Sequence, residues 1–285
     1  MFKNILIAIS SEFYSKDVLE RSVFLAEKFK SKIDLIYIIE AKALDQADKR
    51  LDSYRTQYAI AETKNEIIRK QRYAADNIIF NDAKYYFKSK KIPFGEKIAE
   101  GEFSKVIKNE IKKKDYDLIM MGFERECLLK YRLLDDIDIP VWIVAKSERK
   151  SILAVCSNLA PNIKVPEISL KLSEALGWKL HMIYVIDTED SVQVDENGTR
   201  SDKKSERDLF LSGQKFIKEM KKKKIDVDLI KGSLEKETLK AAEQIKPKLV
   251  IIGREQKKKG ILGIPIKNLK KKLAEKCEYS ILFIN

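Results

Sequence analysis

Two distant parts of this chain carry nearly the same residues, and that repetition limits the folds open to it more than any other feature. Asn4-Ile-Leu-Ile-Ala-Ile-Ser10 reads like Ser151-Ile-Leu-Ala-Val-Cys-Ser157, and Asp34-Leu-Ile-Tyr-Ile-Ile-Glu40 reads like His181-Met-Ile-Tyr-Val-Ile-Asp187. Both pairs are displaced by 147 residues, from 4 to 151 and from 34 to 181. A third pair, Asp117-Leu-Ile-Met-Met-Gly122 and Lys248-Leu-Val-Ile-Ile-Gly253, is displaced by 131, from 122 to 253. The shift changes once, by 16 residues, between the second and third segments. Chance apolar runs would not keep such register, so the chain is read as two copies of one domain. The expected domains are 1–146 and 151–285, joined by the short polar stretch 146–150.

With 285 residues, each copy is long enough to bury its own core. The longest apolar runs have the length of strands, well short of the roughly 20 residues that cross a bilayer. Phe2-Lys3-Asn4 leads directly into the first strand, which leaves no room for a signal peptide. Cys127, Cys156 and Cys277 form no Cys-x-x-Cys pair, and three thiols cannot all pair internally. Idle thiols in a reducing cytoplasm are the expectation. Lysine and arginine number 57 against 44 acids, a net charge of +13 that raises the reading of a basic, nucleic-acid-associated protein. The lysine runs at 112–114, 221–224, 257–259 and 270–272 lie at helix ends and loops with few aromatics among them. The stacking component of single-strand binding is therefore missing, and a solvated charged surface is the stronger reading.

Each half opens on a β-branched run suited to a buried strand. In the first half a helix follows with Val18, Leu19, Val23, Leu25, Ala26 and Phe29 on its apolar face. In the second, a helix starting at Pro166 would place Ile168, Leu172, Ala175 and Leu176 on one face. A second strand comes within about forty residues, which implies a right-handed parallel crossover. The region 41–91 has no Gly or Pro before Pro93 and Gly95 and reads as long helix, whereas 190–204, with Asn197-Gly198 among charges, reads as a mobile loop. Third strands at 94–99 and 227–231 end at Gly101 and Gly232, and fourth strands end at Gly122 and Gly253. Closing strands follow at 141–144 and 280–284. Alternating strands and helices predict an α/β fold of two tandem, doubly wound, parallel five-stranded sheets, each a flavodoxin-like three-layer sandwich. Ligands of such sheets bind beyond the carboxyl ends of the strands, where the winding reverses.

In order and spacing, these strands and their glycines resemble the universal stress protein family in its tandem form, over essentially the whole chain. The related ATP pyrophosphatase type of adenine-nucleotide alpha hydrolase-like domain wants Ser-Gly-Gly-x-Asp-Ser after the first strand, and Ser10-Ser-Glu-Phe-Tyr-Ser15 lacks it. ATP-binding members of the family end the first strand in aspartate. They follow the fourth with Gly-x-x-Gly, about nine residues, and Gly before Ser or Thr, so that backbone N–H groups and a helix N-terminus reach the phosphates. Here Ser10 and Ser157 replace the aspartate. In the first half Arg125 replaces the second glycine, 123–139 is too short for the full loop, and Glu124, Glu126, Asp135, Asp136 and Asp138 would repel phosphate. In the second half the length is kept, with Gln256 at the second glycine and Lys267-Asn268 at the Gly-Ser position.

The resemblance implies a cytoplasmic stress-response or regulatory interaction protein with an unnamed protein partner and a vestigial or weakened nucleotide pocket in the second domain. The alternative is a module binding ATP or another adenine nucleotide there, contacted by Ser157, Val185, Ile252, Gly253, Gln256, Lys267 and Asn268, with Lys257, Lys258 and Lys259 adding charge. Family members commonly dimerise, which implies a pseudo-dimer within the chain, its closing strands facing across an internal pseudo-two-fold axis, and room for a further homodimer. His181, the only histidine, has no nucleophile elbow to serve, and one histidine with scattered thiols makes no metal cluster of familiar spacing. No residue specifically supports catalysis, although slow ATP hydrolysis is the enzyme class such a pocket would allow. Trp142 and Trp178 suit apolar positions.

Overall fold

The computed structural model describes residues 1–10, 15–40, 57–122, 137–147, 149–254, 273 and 276–284. The chain divides into two compact units, Met1–Ile139 and Pro140–Asn285.

The described strands of the first unit are β1 (Asn4–Ile9), β2 (Lys32–Glu40), β3 (Phe94–Gly101) and β4 (Leu118–Gly122). They are ordered β3-β2-β1-β4, and each neighbouring pair is parallel. Ile5, Leu6, Ile7, Ala8 and Ile9 are all buried, because helices cover both faces and strand alternation is lost. Helix α1 (Lys16–Phe29) is capped by Ser15, whose hydroxyl accepts from the Asp17 N–H at 3.2 Å. Its expected face is buried at Val18, Leu19, Val23, Leu25 and Ala26, while Phe29 is half-buried and meets Phe2 edge to face.

Of the region expected to be long helix, 57–89 is continuous helix and 41–56 lies outside the described residues. It runs as α2 (Gln57–Ala74), a π-helical segment Ala75–Ile79, and α3 (Phe80–Ser89). Ala75, Ile79, Phe80, Ala83 and Phe87 form its buried stripe. The wider π turn shifts the helical phase, so an apolar spacing that would drift on an ideal helix stays against the sheet. Strand β3 is partly exposed and carries Glu96, Lys97 and Glu100, charges that discourage pairing along it. Helix α4 (Phe103–Ile111) leads on to β4.

The second unit contains β5 (Val141–Val144), β6 (Ser151–Ser157), β7 (Lys179–Asp187), β8 (Val227–Gly232), β9 (Leu249–Gly253) and β10 (Ser280–Ile284). Their order is β5-β10-β9-β6-β7-β8. The neighbouring pairs within this order are parallel except β5 with β10, which is antiparallel with Trp142 opposite Leu282. The two closing strands thus pair directly. Ser280 fixes the register, its hydroxyl donating to the Ala145 carbonyl at 2.9 Å and accepting the Ala145 N–H at 3.0 Å.

Helix α5 (Lys164–Leu176) starts two residues before Pro166, and its buried face is Val165, Pro166, Ser169, Leu172 and Leu176. Ala175, expected on that face, is exposed, because the face that packs is centred on Val165, Ser169, Leu172 and Leu176. Helices α6 (Glu206–Lys222) and α7 (Leu234–Ile245) complete the described set. The doubly wound α/β arrangement read from the sequence is the one adopted.

Trp142 is fully buried, and its indole N–H has no partner among the described residues. Trp142→Ala should cost about 3–5 kcal/mol through the cavity it leaves. Trp142→Phe, which also removes the unpaired N–H, should cost far less. The midpoint of urea unfolding followed by Trp178 fluorescence, within the same unit, measures both.

Candidate functional site

In the second unit the chain order runs β6, β7, β8 to one side and then β9, β10 to the other, so the winding reverses between β6 and β9. Four of the expected site residues gather at that carboxyl edge. Ser157 is the register partner of Val185, and Ile252 pairs with Val155 one step before Gly253. Gln256, Lys267 and Asn268 lie outside the described residues, as do Lys257, Lys258 and Lys259. The same holds for Arg125 and 123–136 in the first unit.

Being brought together does not leave these residues open. Ser157, Val185 and Ile252 are all buried. The Ser157 N–H donates to Asn162 Oδ1 at 3.1 Å, its carbonyl accepts from Asn162 Nδ2 at 2.8 Å, and its hydroxyl accepts the Leu159 N–H at 3.1 Å. The turn after β6 is therefore closed upon itself. Leu159 and Ala160 are buried on it. A Cβ on Gly253 would stand 3.1 Å from Ala160 Cβ and 3.5 Å from the Pro161 carbonyl oxygen, so this turn already packs closely on the glycine.

Sequence reasoning missed the residues that organise this edge. Asp187, buried at the end of β7, accepts the Glu189 and Asp190 N–H groups on Oδ1 at 2.9 Å each. Its Oδ2 accepts the Leu234 N–H at 2.7 Å, capping α7 from outside the helix where the helix dipole favours an anion. Asn158, fully buried, accepts the Asp187 N–H at 2.7 Å and donates to the Val192 carbonyl at 2.7 Å. The corresponding acid in the first unit is Glu40, buried, with Ser10 donating to its Oε1 at 3.1 Å. Glu40 stands opposite Gly101 as Asp187 stands opposite Gly232. Gly101 has φ +141°, which needs glycine, and a Cβ there would lie 3.1 Å from Val106. An acid at the same place in both repeats, after a run of apolar residues, was the available signal.

Among the described residues this edge is thus lined by the bonded Ser157 main chain, by Gly253 packed on Ala160 and by the buried Asp187 carboxylate, whose charge would repel phosphate. A groove of about 470 Å³, lined by Leu239, Ala242, Lys246, Cys277 and Tyr279, lies instead at the amino end of β10.

His181 lies partway along β7, where burial first and Lys179 second push its imidazole below the ordinary value. No group of three metal-ligating side chains occurs among the described residues. Cys156 and Cys277 are free and buried, and Cys127 lies outside the described residues. Burial pushes both thiols up, that of Cys277 to about 11, so neither is a nucleophile at neutral pH. Iodoacetamide at pH 8, mapped by peptide mass spectrometry, should leave Cys156 and Cys277 unmodified until denaturant is added.

The carboxylate of Asp187 is the acceptor for three N–H groups, and Asp187→Asn turns an amide donor toward some of them. The substitution should destabilise the second unit by about 1–3 kcal/mol. Urea unfolding followed by the fluorescence of Trp142 and Trp178, both in this unit, measures it.

Residues 1–144 match the model of the universal stress protein family. Among solved structures, the chain is similar to a universal stress protein from Archaeoglobus fulgidus DSM 4304, with 13% identity, 98% of each chain covered and a TM-score of 0.63. A putative universal stress protein from Pseudomonas aeruginosa UCBPP-PA14 aligns at 12% identity over 99% of this chain and 93% of its own, TM-score 0.65. The functionally unknown protein PA1789 of Pseudomonas aeruginosa PAO1 gives 12%, 99%, 92% and 0.61. At such identities the likeness concerns the fold. No curated protein matches the chain. No described helix is long and apolar enough to cross a membrane. With its first half matched by the family model, the chain belongs to the universal stress protein family.

Proposed function

We propose that the chain is a tandem universal stress protein, with family-like domains at 1–146 and 151–285, that acts in the cytoplasm as a stress-response or regulatory interaction protein. Its second-domain nucleotide pocket is vestigial, and its output is the binding of a protein partner. The observation that carries this reading is the closed carboxyl edge of β6 and β9, where Ala160 packs against Gly253 and Ser157 bonds within its own turn. The antiparallel pairing of the strand that closes the first repeat with the strand that closes the second supports an internal counterpart of a family dimer.

A second reading, an ATP or adenine-nucleotide module, is favoured by the cationic sequence after Gly253. There Lys257, Lys258, Lys259 and Lys267 would supply charge, and Asn268 would cap the following helix. Lysines without a backbone cradle give modest affinity that falls with added salt.

Mass spectrometry of small molecules released on denaturing freshly purified protein separates the two. The interaction reading expects adenine nucleotide well below one per chain, and stoichiometric recovery would overturn it. Titration calorimetry with MgATP adds a check. Salt-sensitive binding abolished by Lys267→Glu and untouched by Arg125→Glu would establish the second reading.

A further inference from the structure

We propose that the stretch 188–204 is a built-in occupant of the second unit's carboxyl edge, seated there by Asn158. The proposal rests on the vestigial-pocket reading above and says what took the pocket's place. This stretch joins β7 to α6 and includes the 190–204 segment whose composition predicts mobility. It is instead bonded along its length. The Thr188 N–H donates to the Gly232 carbonyl at 3.4 Å, and Val194 and Arg200 form an antiparallel bridge. The Ser201 N–H donates to the Gln193 carbonyl at 2.8 Å, and the Lys204 N–H to the Ser191 carbonyl at 2.7 Å. Arg200 pairs with Asp190 at 2.6 Å, its side chain only 12% exposed. Asp195 closes the tip by accepting the Asn197 and Thr199 N–H groups at 2.9 and 2.7 Å.

What fixes this small hairpin to the edge is a single amide. Asn158 Nδ2 donates to the carbonyls of Val192, Asp190 and Asp187 at 2.7, 3.3 and 3.4 Å, and Oδ1 accepts the Asp187 N–H at 2.7 Å. The Asn158 carbonyl also accepts the Val194 N–H at 2.8 Å. Val192 and Val194 are thereby buried, at 7% and 3% exposure. Only a side chain with both donor and acceptor at one end serves this site. Aspartate, of the same size, would turn a carboxylate toward three carbonyl oxygens. Through Asp187, the same network reaches the first N–H of α7, so protein groups link the turns after β6, β7 and β8. A ligand seeking this edge must break the Asn158 bonds and expose two buried valines.

Hydrogen–deuterium exchange on the full chain tests the proposal. The wild-type protein should show slow exchange across 188–204, unchanged by excess MgATP. Asn158→Asp should speed exchange there by roughly tenfold or more, since several buried hydrogen bonds are lost together, and leave peptides of β1 and β2 unaffected. If that variant does not fold, Arg200→Ala, which loosens the hairpin away from Asn158, should speed exchange over 188–204 alone. A wild-type stretch that exchanges freely, a change in its protection with MgATP, or variants without effect would overturn the proposal. Bound nucleotide recovered from a chain whose hairpin stays protected from MgATP would remove the functional reading and leave this one. A freely exchanging hairpin with no nucleotide recovered would do the reverse.

Discussion

Burial of parallel strands on both faces is the constraint from which the rest of this molecule follows. Ile5 to Ile9 and Ile152 to Cys156 have essentially no exposed side chains, so neither sheet face has room for polar function. Polar groups are confined to the strand ends, where backbone donors of turns and helix starts also need partners. In the second unit Asp187 and Asn158 meet that need from within. A strand end that has satisfied its own donors has few left for a guest.

The glycines ending the third and fourth strands are easily read as sites of close backbone approach to phosphate. At Gly253 the close neighbour is Ala160, and at Gly232 a Cβ would stand 2.8 Å from Glu237 Oε1. Both glycines thus have close neighbours within the domain itself. A glycine in a family motif can thus have a packing role within the domain, whatever it does for a ligand.

The strands were legible because continuous apolar runs between turn residues have few other uses, and the repeat showed each twice. Helix borders were less so: Pro166 looked like a first helical residue, yet Val165 gains burial by joining the helix, which starts at Lys164. The loop 190–204 misled for a related reason. Its charges and Asn197-Gly198 outweighed Val192 and Val194, whose burial depends on a partner 34 residues away from Val192, at Asn158. Asn158 was silent since it bonds mainly to backbone carbonyls, which carry no sequence signal. The expected site divides similarly. Ser157, Val185, Ile252 and Gly253 converge as topology dictates, but whether the edge is open depends on side-chain packing that periodicity does not encode.

The pairing of β5 with β10 sets the order of events on the ribosome. Val141–Val144 is synthesised 139 residues before Ser280, so its hydrogen-bonding edge, with Trp142 and Ile143, waits for its antiparallel partner through the making of nearly a whole domain. Contacts of such separation are late and slow to form. An apolar strand kept waiting is also the kind of surface that chaperones shield and that neighbouring nascent chains can capture. The second unit thus carries a risk of misassembly during its synthesis that the finished fold conceals.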